Sequence, residues 1–279
     1  VNLGAALVQG QKLLEDAGIL APRLTAEVLL AHAIGCRRSW IYAHSDEELK
    51  ELWWIHYGRY LHQRLAGMPT QYITGAQEFF GRDFLVTPDV LIPRPETEHL
   101  IETALKHNVS TILDIGTGSG CIAITLALET EACVTATDIS AAALKIARSN
   151  SLRLTASVDF VQCDLGSALH DRSFDLIVSN PPYVAEDDRP ALQREVRDHE
   201  PEVALFAGPN GLEVYARLIP EAARLLKPGA LLILELGAAS LDPVRKMFDA
   251  KWRDIEVIPD LAQVPRVLSA KLELDSNVE

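Results

Sequence analysis

Cysteine is scarce in this 279-residue chain, and Cys36, Cys121, Cys133 and Cys163 stand far apart with no C-x-x-C pair. That spacing offers neither a zinc site nor a disulfide framework, so the four are expected as small core residues and no metal is expected. No apolar run approaches the roughly 18 residues of a membrane span. The richest, Ala230 to Leu236, is interrupted by Glu235. The first residues, Val1 to Gly4, carry no basic start and lead into no long apolar segment before Gln9, which gives no secretory signal and a cytoplasmic expectation. The eight histidines form no H-E-x-x-H pattern, and there is no G-x-S-x-G elbow or Ser or Cys beside an evident base. Covalent catalysis is therefore disfavoured. A basic excess is also missing: the net charge is −13, with seven Lys/Arg against seven Asp/Glu in residues 1–70 and 19 against 32 in the rest. Nucleic acid is a disfavoured partner on that balance.

What is present suffices for buried cores, at 48% hydrophobic and 23% charged residues over a length of about two domains. From Leu3 to about Leu65 apolar residues recur at helical spacing, with breaks at Gly18 to Pro22 and Gly35 to Arg38. Ser45 followed by Glu48 reads as a capping box for a third segment, whose aromatics at 53, 54, 57 and 60 read as core packing. Gly67-Met68-Pro69 ends this helical domain, 1–69. Residues 70–95, rich in β-branched and aromatic residues with Gly75, Gly81 and prolines 88, 93 and 95, read as a β-hairpin linker. The third segment is 96–279. Within it, strands are predicted at Thr111–Ile115, Cys133–Thr137, Val158–Cys163, Phe174–Ser179, Ala230–Leu236, Ile255–Ile258 and Val267–Leu272. Helices at Ala141–Ser149, Gly211–Leu226 and Leu241–Ala250 lie between several of them, which defines an α/β class with a mostly parallel sheet. The last five residues are expected to fray.

Two motifs carry chemistry. Leu113-Asp114-Ile115-Gly116-Thr117-Gly118-Ser119-Gly120 is a buried strand running into a glycine turn, where backbone N–H groups can approach a ligand at the carboxyl end of a sheet. Gly118-x-Gly120-x-x-Ala123 also satisfies the dinucleotide fingerprint, which leaves a nicotinamide or flavin oxidoreductase open at this point. Asp138 closes the next strand, where a carboxylate would meet the two hydroxyls of a ribose or else cap the following helix. The second motif is Ser179-Asn180-Pro181-Pro182-Tyr183, directly after the apolar run Phe174 to Val178. Two prolines cannot continue the ladder, so the backbone turns rigidly and leaves carbonyls without sheet partners. With the Asn180 side-chain oxygen they can accept both hydrogens of a planar NH₂ group, and Tyr183 can cover its face.

The glycine turn, Asp138 and the Asn-Pro-Pro-Tyr tetrapeptide together resemble S-adenosylmethionine-dependent methyltransferases of planar nitrogens, a group that includes adenine N6 and glutamine N5 enzymes. Gln71 to Gly75, Glu78 to Gly81, the run Leu91-Ile92-Pro93-Arg94-Pro95-Glu96-Thr97-Glu98, and Glu200-Pro201 followed by Ala204-Leu205 and Gly211-Leu212 narrow the resemblance to the HemK/PrmC family, the release factor glutamine methyltransferases. It covers nearly the whole chain. The resemblance implies a seven-stranded Rossmann-like class I methyltransferase sheet, a small all-helical N-terminal domain that docks substrate, and a hairpin linker. It implies S-adenosylmethionine as cofactor, class I peptide-chain release factors as protein substrate, and methylation of the glutamine of their Gly-Gly-Gln motif. An adenine N6 methyltransferase on DNA or RNA is the alternative, which the acidic balance and the Leu91–Glu98 run disfavour.

By the same resemblance the cofactor would meet Gly116, Thr117, Gly118, Ser119, Gly120, Asp138, Asp164, Leu165 and Asn180. The acceptor would meet Asn180, Pro181, Pro182 and Tyr183, of which Asn180, Pro181 and Tyr183 carry the catalysis. A monomer without membrane attachment is expected. Two positions depart from the family pattern. Leu165 stands where a Trp often packs on adenine, and the segment Asp260 to Arg266 keeps only its first Asp and its Arg from Asp-x-x-Gly-x-Asp-Arg. No function is assigned to Gln263 or Pro265.

Overall fold

A computed structural model describes residues 1–273, so the expected fraying of the last five residues lies outside the described residues. The described residues form two compact units, one of residues 1–76 with 193–199, the other of residues 77–192 with 200–273.

The first unit is helical. Helices span Leu3–Asp16, Pro22–Ile34, Arg38–Ala43, Glu51–Leu65 and Thr70–Thr74, joined by the short helix Arg194–His199. The Asn2 side chain accepts the Ala5 N–H at 2.8 Å and starts the first helix. Pro22 opens the second at a position where its missing N–H costs nothing, and Gly35 closes it in the left-handed region. Leu3, Leu7, Leu14, Leu29, Ile41 and Tyr57 are among the side chains that fill one core. The Arg64 guanidinium, nearly buried, pairs with Glu195 at 2.5 Å and ties in the segment 193–199.

Several details correct the sequence reading. The fourth helix begins at Glu51 behind Lys50, which makes no side-chain cap, so Ser45 and Glu48 form no capping box. Glu48 instead bridges Asn2, and the Ser45 carbonyl accepts from Gly4. Of the four aromatics, Tyr57 is fully buried but Trp54 is 37% exposed, because a helix with core on one side only buries about one residue in three or four. Residues 70–74 are helical, ahead of the hairpin. Cys133 is exposed rather than core, sitting at the start of its strand.

The second unit begins within the hairpin of β1 (Ala76–Phe79) and β2 (Arg82–Leu85). Seven further strands follow: β3 Thr111–Ile115, β4 Cys133–Asp138, β5 Val158–Gln162, β6 Phe174–Ser179, β7 Leu226–Glu235, β8 Trp252–Pro259 and β9 Pro265–Leu272. They form one sheet in the order β5-β4-β3-β6-β7-β9-β8, parallel from β5 to β7, with β9 antiparallel to both of its neighbours. Alternation sets the two faces. Leu113, Ile177, Leu232 and Leu268 pack with the helix Glu213–Leu225, while Ile112, Leu176, Ile233 and Val267 pack with Glu98–Ala104 and Cys121–Glu129. The helix predicted over 241–250 is confined to Leu241–Arg245.

Strand order reverses between β3 and β6: β4 and β5 extend the sheet on one side of β3, and the chain then returns to place β6 on the other. Ligands of open α/β sheets bind outside the carboxyl ends of the strands at such a switch point.

Candidate active site

The carboxyl end of β3 turns sharply. Gly116, Gly118 and Gly120 have φ of +77°, +55° and +82°, the left-handed region that side chains rarely adopt. A Cβ on Gly120 would also meet Ile124 Cδ1 at 2.8 Å, so the turn sits tightly on the helix that follows, whereas nothing lies within 4 Å of the Cβ positions of Gly116 and Gly118. The Gly116 and Thr117 N–H groups both donate to the Thr137 carbonyl at 2.9 Å, fixing the turn to β4.

Asp138 ends β4 beside that turn. Its Oδ2 accepts the Gly118 N–H at 2.9 Å and its Oδ1 the Ser140 N–H at 2.8 Å. Burial raises its pKa above the ordinary range, opposed by these backbone hydrogen bonds. Ser140, not Asp138, caps the following helix by accepting from Ala143, which leaves the remaining Asp138 lone pairs for a ligand.

Asp114, within β3, is fully buried; its Oδ2 accepts the Thr117 hydroxyl at 2.6 Å and its Oδ1 has no hydrogen-bond partner among the described residues. Burial pushes its pKa up to about 7, and the charge of Asp138 adds to the effect. The glycine turn and the two hydrogen-bonded acceptor oxygens of Asp138 beside it suit a ligand bearing a diol.

The end of β6 forms the facing side. Ser179 Oγ donates to the Ile115 carbonyl at 2.7 Å and ties the two strand ends together. Asn180 then donates from Nδ2 to Thr97 Oγ1 at 3.2 Å, and Thr97 donates to Glu235 Oε2 at 2.6 Å. With Nδ2 committed, Oδ1 is the end of this amide free to accept. Thr97 closes a short 3-10 turn, Pro95–Thr97, whose preceding residues are anchored by Glu200. The Glu200 carboxylate, 1% exposed, accepts the Ile92 N–H at 3.3 Å and pairs with Arg94 at 2.5 Å.

Between these walls lies a cleft of about 250 Å³. Of the residues expected at the site, Gly116, Gly118, Asp138, Asp164, Leu165, Asn180, Pro181 and Pro182 line it. Thr117, Ser119 and Gly120 stand behind the lining as supports of the turn. The Tyr183 ring is not in the lining either; it lies against Gly237, where an added Cβ would come within 2.8 Å of ring Cδ2. Asp164 forms an ion pair with Arg217 at the rim, and Leu165 takes a φ of +52° to enter the lining.

Sequence reasoning missed the roles of Thr97 and Glu235. The signal for Glu235 was a lone carboxylate in an otherwise apolar strand. Leu91, Pro201 and Ala204, which also line the cleft, lay in quoted motifs without an assigned contact.

The sheet order and the glycine-turn cleft define a Rossmann-like methyltransferase. Residues 95–198 match the family model "Methyltransferase small domain". A methyltransferase structure from Pyrococcus furiosus shares the fold, with a TM-score of 0.55 at 20% identity over 78% of this chain and 99% of that one. Residues 5–75 match "PrmC N-terminal domain". A release factor glutamine methyltransferase of Koribacter versatilis is 46% identical over 96% of this chain and 98% of its own length. One of Nitratidesulfovibrio vulgaris is 42% identical over 98% and 96%. The chain belongs to the release factor glutamine methyltransferase family, which removes the oxidoreductase reading of the glycine turn.

Proposed function

We propose that this protein transfers a methyl group from S-adenosylmethionine to N5 of the glutamine in the Gly-Gly-Gln motif of class I peptide-chain release factors. The observation that carries the reading is the Asn180 amide, held by its nitrogen so that its oxygen is left for a planar NH₂ donor, across one cleft from the glycine turn. No helix among the described residues is long and apolar enough to cross a membrane, which accords with a cytoplasmic substrate.

When bound, the cofactor supplies a methyl on a positively charged sulfonium, whose C–S bond breaks as the C–N bond forms. Asp138 would accept the ribose hydroxyls, the turn Gly116 to Gly120 would let the ligand approach the backbone, Asp114, buried behind the lining, would offset positive charge from there, and Leu165 with Asp164 would bound the adenine end. A primary amide nitrogen is a poor nucleophile because its lone pair is delocalised into its carbonyl. Asn180 Oδ1 and the Pro181 carbonyl accept its two N–H bonds and fix the nitrogen in line with the methyl. As positive charge builds on nitrogen those hydrogen bonds strengthen, so they favour the transition state over the ground state. The departing proton goes to water, since no strong base stands beside Asn180 among the described residues.

The helical unit docks the protein substrate as we read it. Its exposed Leu52, Trp54 and Ile55 on one helix offer apolar area, with Lys50 Nζ 4.4 Å from the Trp53 ring centroid. The enzyme acts as a monomer. The test is incubation with methyl-labelled S-adenosylmethionine and a purified release factor, followed by mass spectrometric mapping. Label on the Gly-Gly-Gln glutamine is expected; label absent there, or appearing instead on adenine of added DNA or RNA, overturns the reading.

A further inference from the structure

Glu235 ends β7 among apolar neighbours, Ile233, Leu234 and Leu236, and is 2% exposed. A carboxylate in that position costs folding free energy that a leucine would not. Its backbone is fixed on both sides: Tyr215 donates to the Glu235 carbonyl at 2.8 Å, and the Leu236 N–H donates to the Arg266 carbonyl at 2.7 Å. The side chain therefore reaches Thr97 from a rigid strand end.

The chemistry of the contact is directional. A threonine hydroxyl has one proton, and at Thr97 that proton goes to the Glu235 carboxylate at 2.6 Å. Toward Asn180 the same hydroxyl is then an acceptor only. Asn180 must present Nδ2, as it does at 3.2 Å, because the opposite flip would set two oxygen lone pairs against each other. From this geometry we infer that Glu235, acting through Thr97, fixes which end of the Asn180 amide faces the cleft and is a positioning residue for methyl transfer. The inference rests on the function proposed above. It assigns a use to a buried carboxylate that lies outside the cleft lining, and it makes Thr97 the element that transmits its polarity.

The experiment uses the full chain at pH 8 in four forms: wild type, Thr97→Val, Thr97→Ser and Glu235→Gln. Methylation kinetics on a release factor, S-adenosylmethionine affinity and thermal melting are measured, together with the Asn180 side-chain amide resonances of ¹⁵N-labelled protein. Thr97→Val removes the hydroxyl at nearly equal volume, and kcat is expected to fall about tenfold, with the KM for release factor and the cofactor affinity within about twofold of wild type. Thr97→Ser restores about half of the lost activity or more. In Thr97→Val the Asn180 amide proton bonded to Thr97 moves to the shift of a free amide, and in Glu235→Gln, where either end of the new amide can meet Thr97, both Asn180 orientations are populated and its resonances move part of the way toward that shift.

Unchanged kcat in Thr97→Val, an equal loss in Thr97→Ser, or Asn180 resonances that do not move would overturn the inference. If Thr97→Val does not fold, the Glu235→Gln resonances and the Thr97→Ser kinetics decide it. If wild type transfers no methyl to release factor, the proposed function fails, and the amide resonances still decide the relay.

Discussion

The two walls of the cleft are built by different means. The glycine-turn wall is mostly backbone: left-handed glycines, N–H groups donated to Thr137, and one carboxylate 20 residues from the amide it accepts. The Asn180 wall is mostly side chain, with an amide oriented by a hydroxyl 83 residues away, itself oriented by a carboxylate 138 residues further along. A backbone wall tolerates few changes because its shape is set by φ angles, and it can bind without discriminating what reacts. A side-chain wall can be retuned one hydrogen bond at a time. We propose a division of labour in which the first wall holds cofactor and the second selects and orients the acceptor, so that Asn180, which the family resemblance places at both ligands, serves chiefly the acceptor.

The largest effect should come from breaking the second wall. In the mechanism proposed above Asn180→Ala removes an acceptor whose hydrogen bond strengthens in the transition state, and by analogy with a lost oxyanion-hole donor kcat should drop on the order of 10²- to 10³-fold, with a smaller change in KM, read by steady-state methylation. In the first wall, Asp138→Ala removes the carboxylate proposed to accept the two ribose hydroxyls. Calorimetry should show a loss of about 1.5 to 3 kcal/mol in cofactor binding, with the chemical step at saturation little changed.

Gly120→Ala tests whether that wall is set by backbone conformation. The left-handed φ and the Ile124 contact should together cost about 1 to 3 kcal/mol of stability by denaturant melting, and cofactor affinity should fall with it. The smallest effect concerns pH. Burial pushes the Glu235 pKa up to about 7, against an ordinary carboxylate, with Thr97 opposing. A carboxylate whose folded pKa is raised contributes stability that is full below its unfolded pKa and is lost as pH rises through the folded one. The melting temperature of Glu235→Gln, relative to wild type, should therefore climb by a few degrees between pH 5 and pH 8. A flat difference would mean that Glu235 ionises as an exposed carboxylate does.

The same contrast explains what could be read from sequence. All seven strands of the large sheet, the glycine turn and Asp138 are encoded over short stretches by apolar runs, glycine spacing and a carboxylate at a strand end. The Asn-Pro-Pro-Tyr loop was equally legible as a rigid exit from a strand. What holds Asn180 was not, because the partners Thr97 and Glu235 meet only once β6, β7 and the Pro95–Thr97 turn are assembled. The Tyr183 ring packs against Gly237, in the loop after β7, a contact that no local pattern could supply. The Ser45–Glu48 pair failed for the opposite reason: the local capping pattern was present, but Glu48 bridges Asn2 and the helix starts later.

The division between a binding wall and a reacting wall is tested most directly by titrating S-adenosylmethionine into Asn180→Ala by calorimetry. The account predicts an affinity within about threefold of wild type in a variant whose methyl transfer has collapsed. A loss of affinity as large as that of Asp138→Ala would contradict it, because Asn180 would then belong to the cofactor's wall and not to the acceptor's.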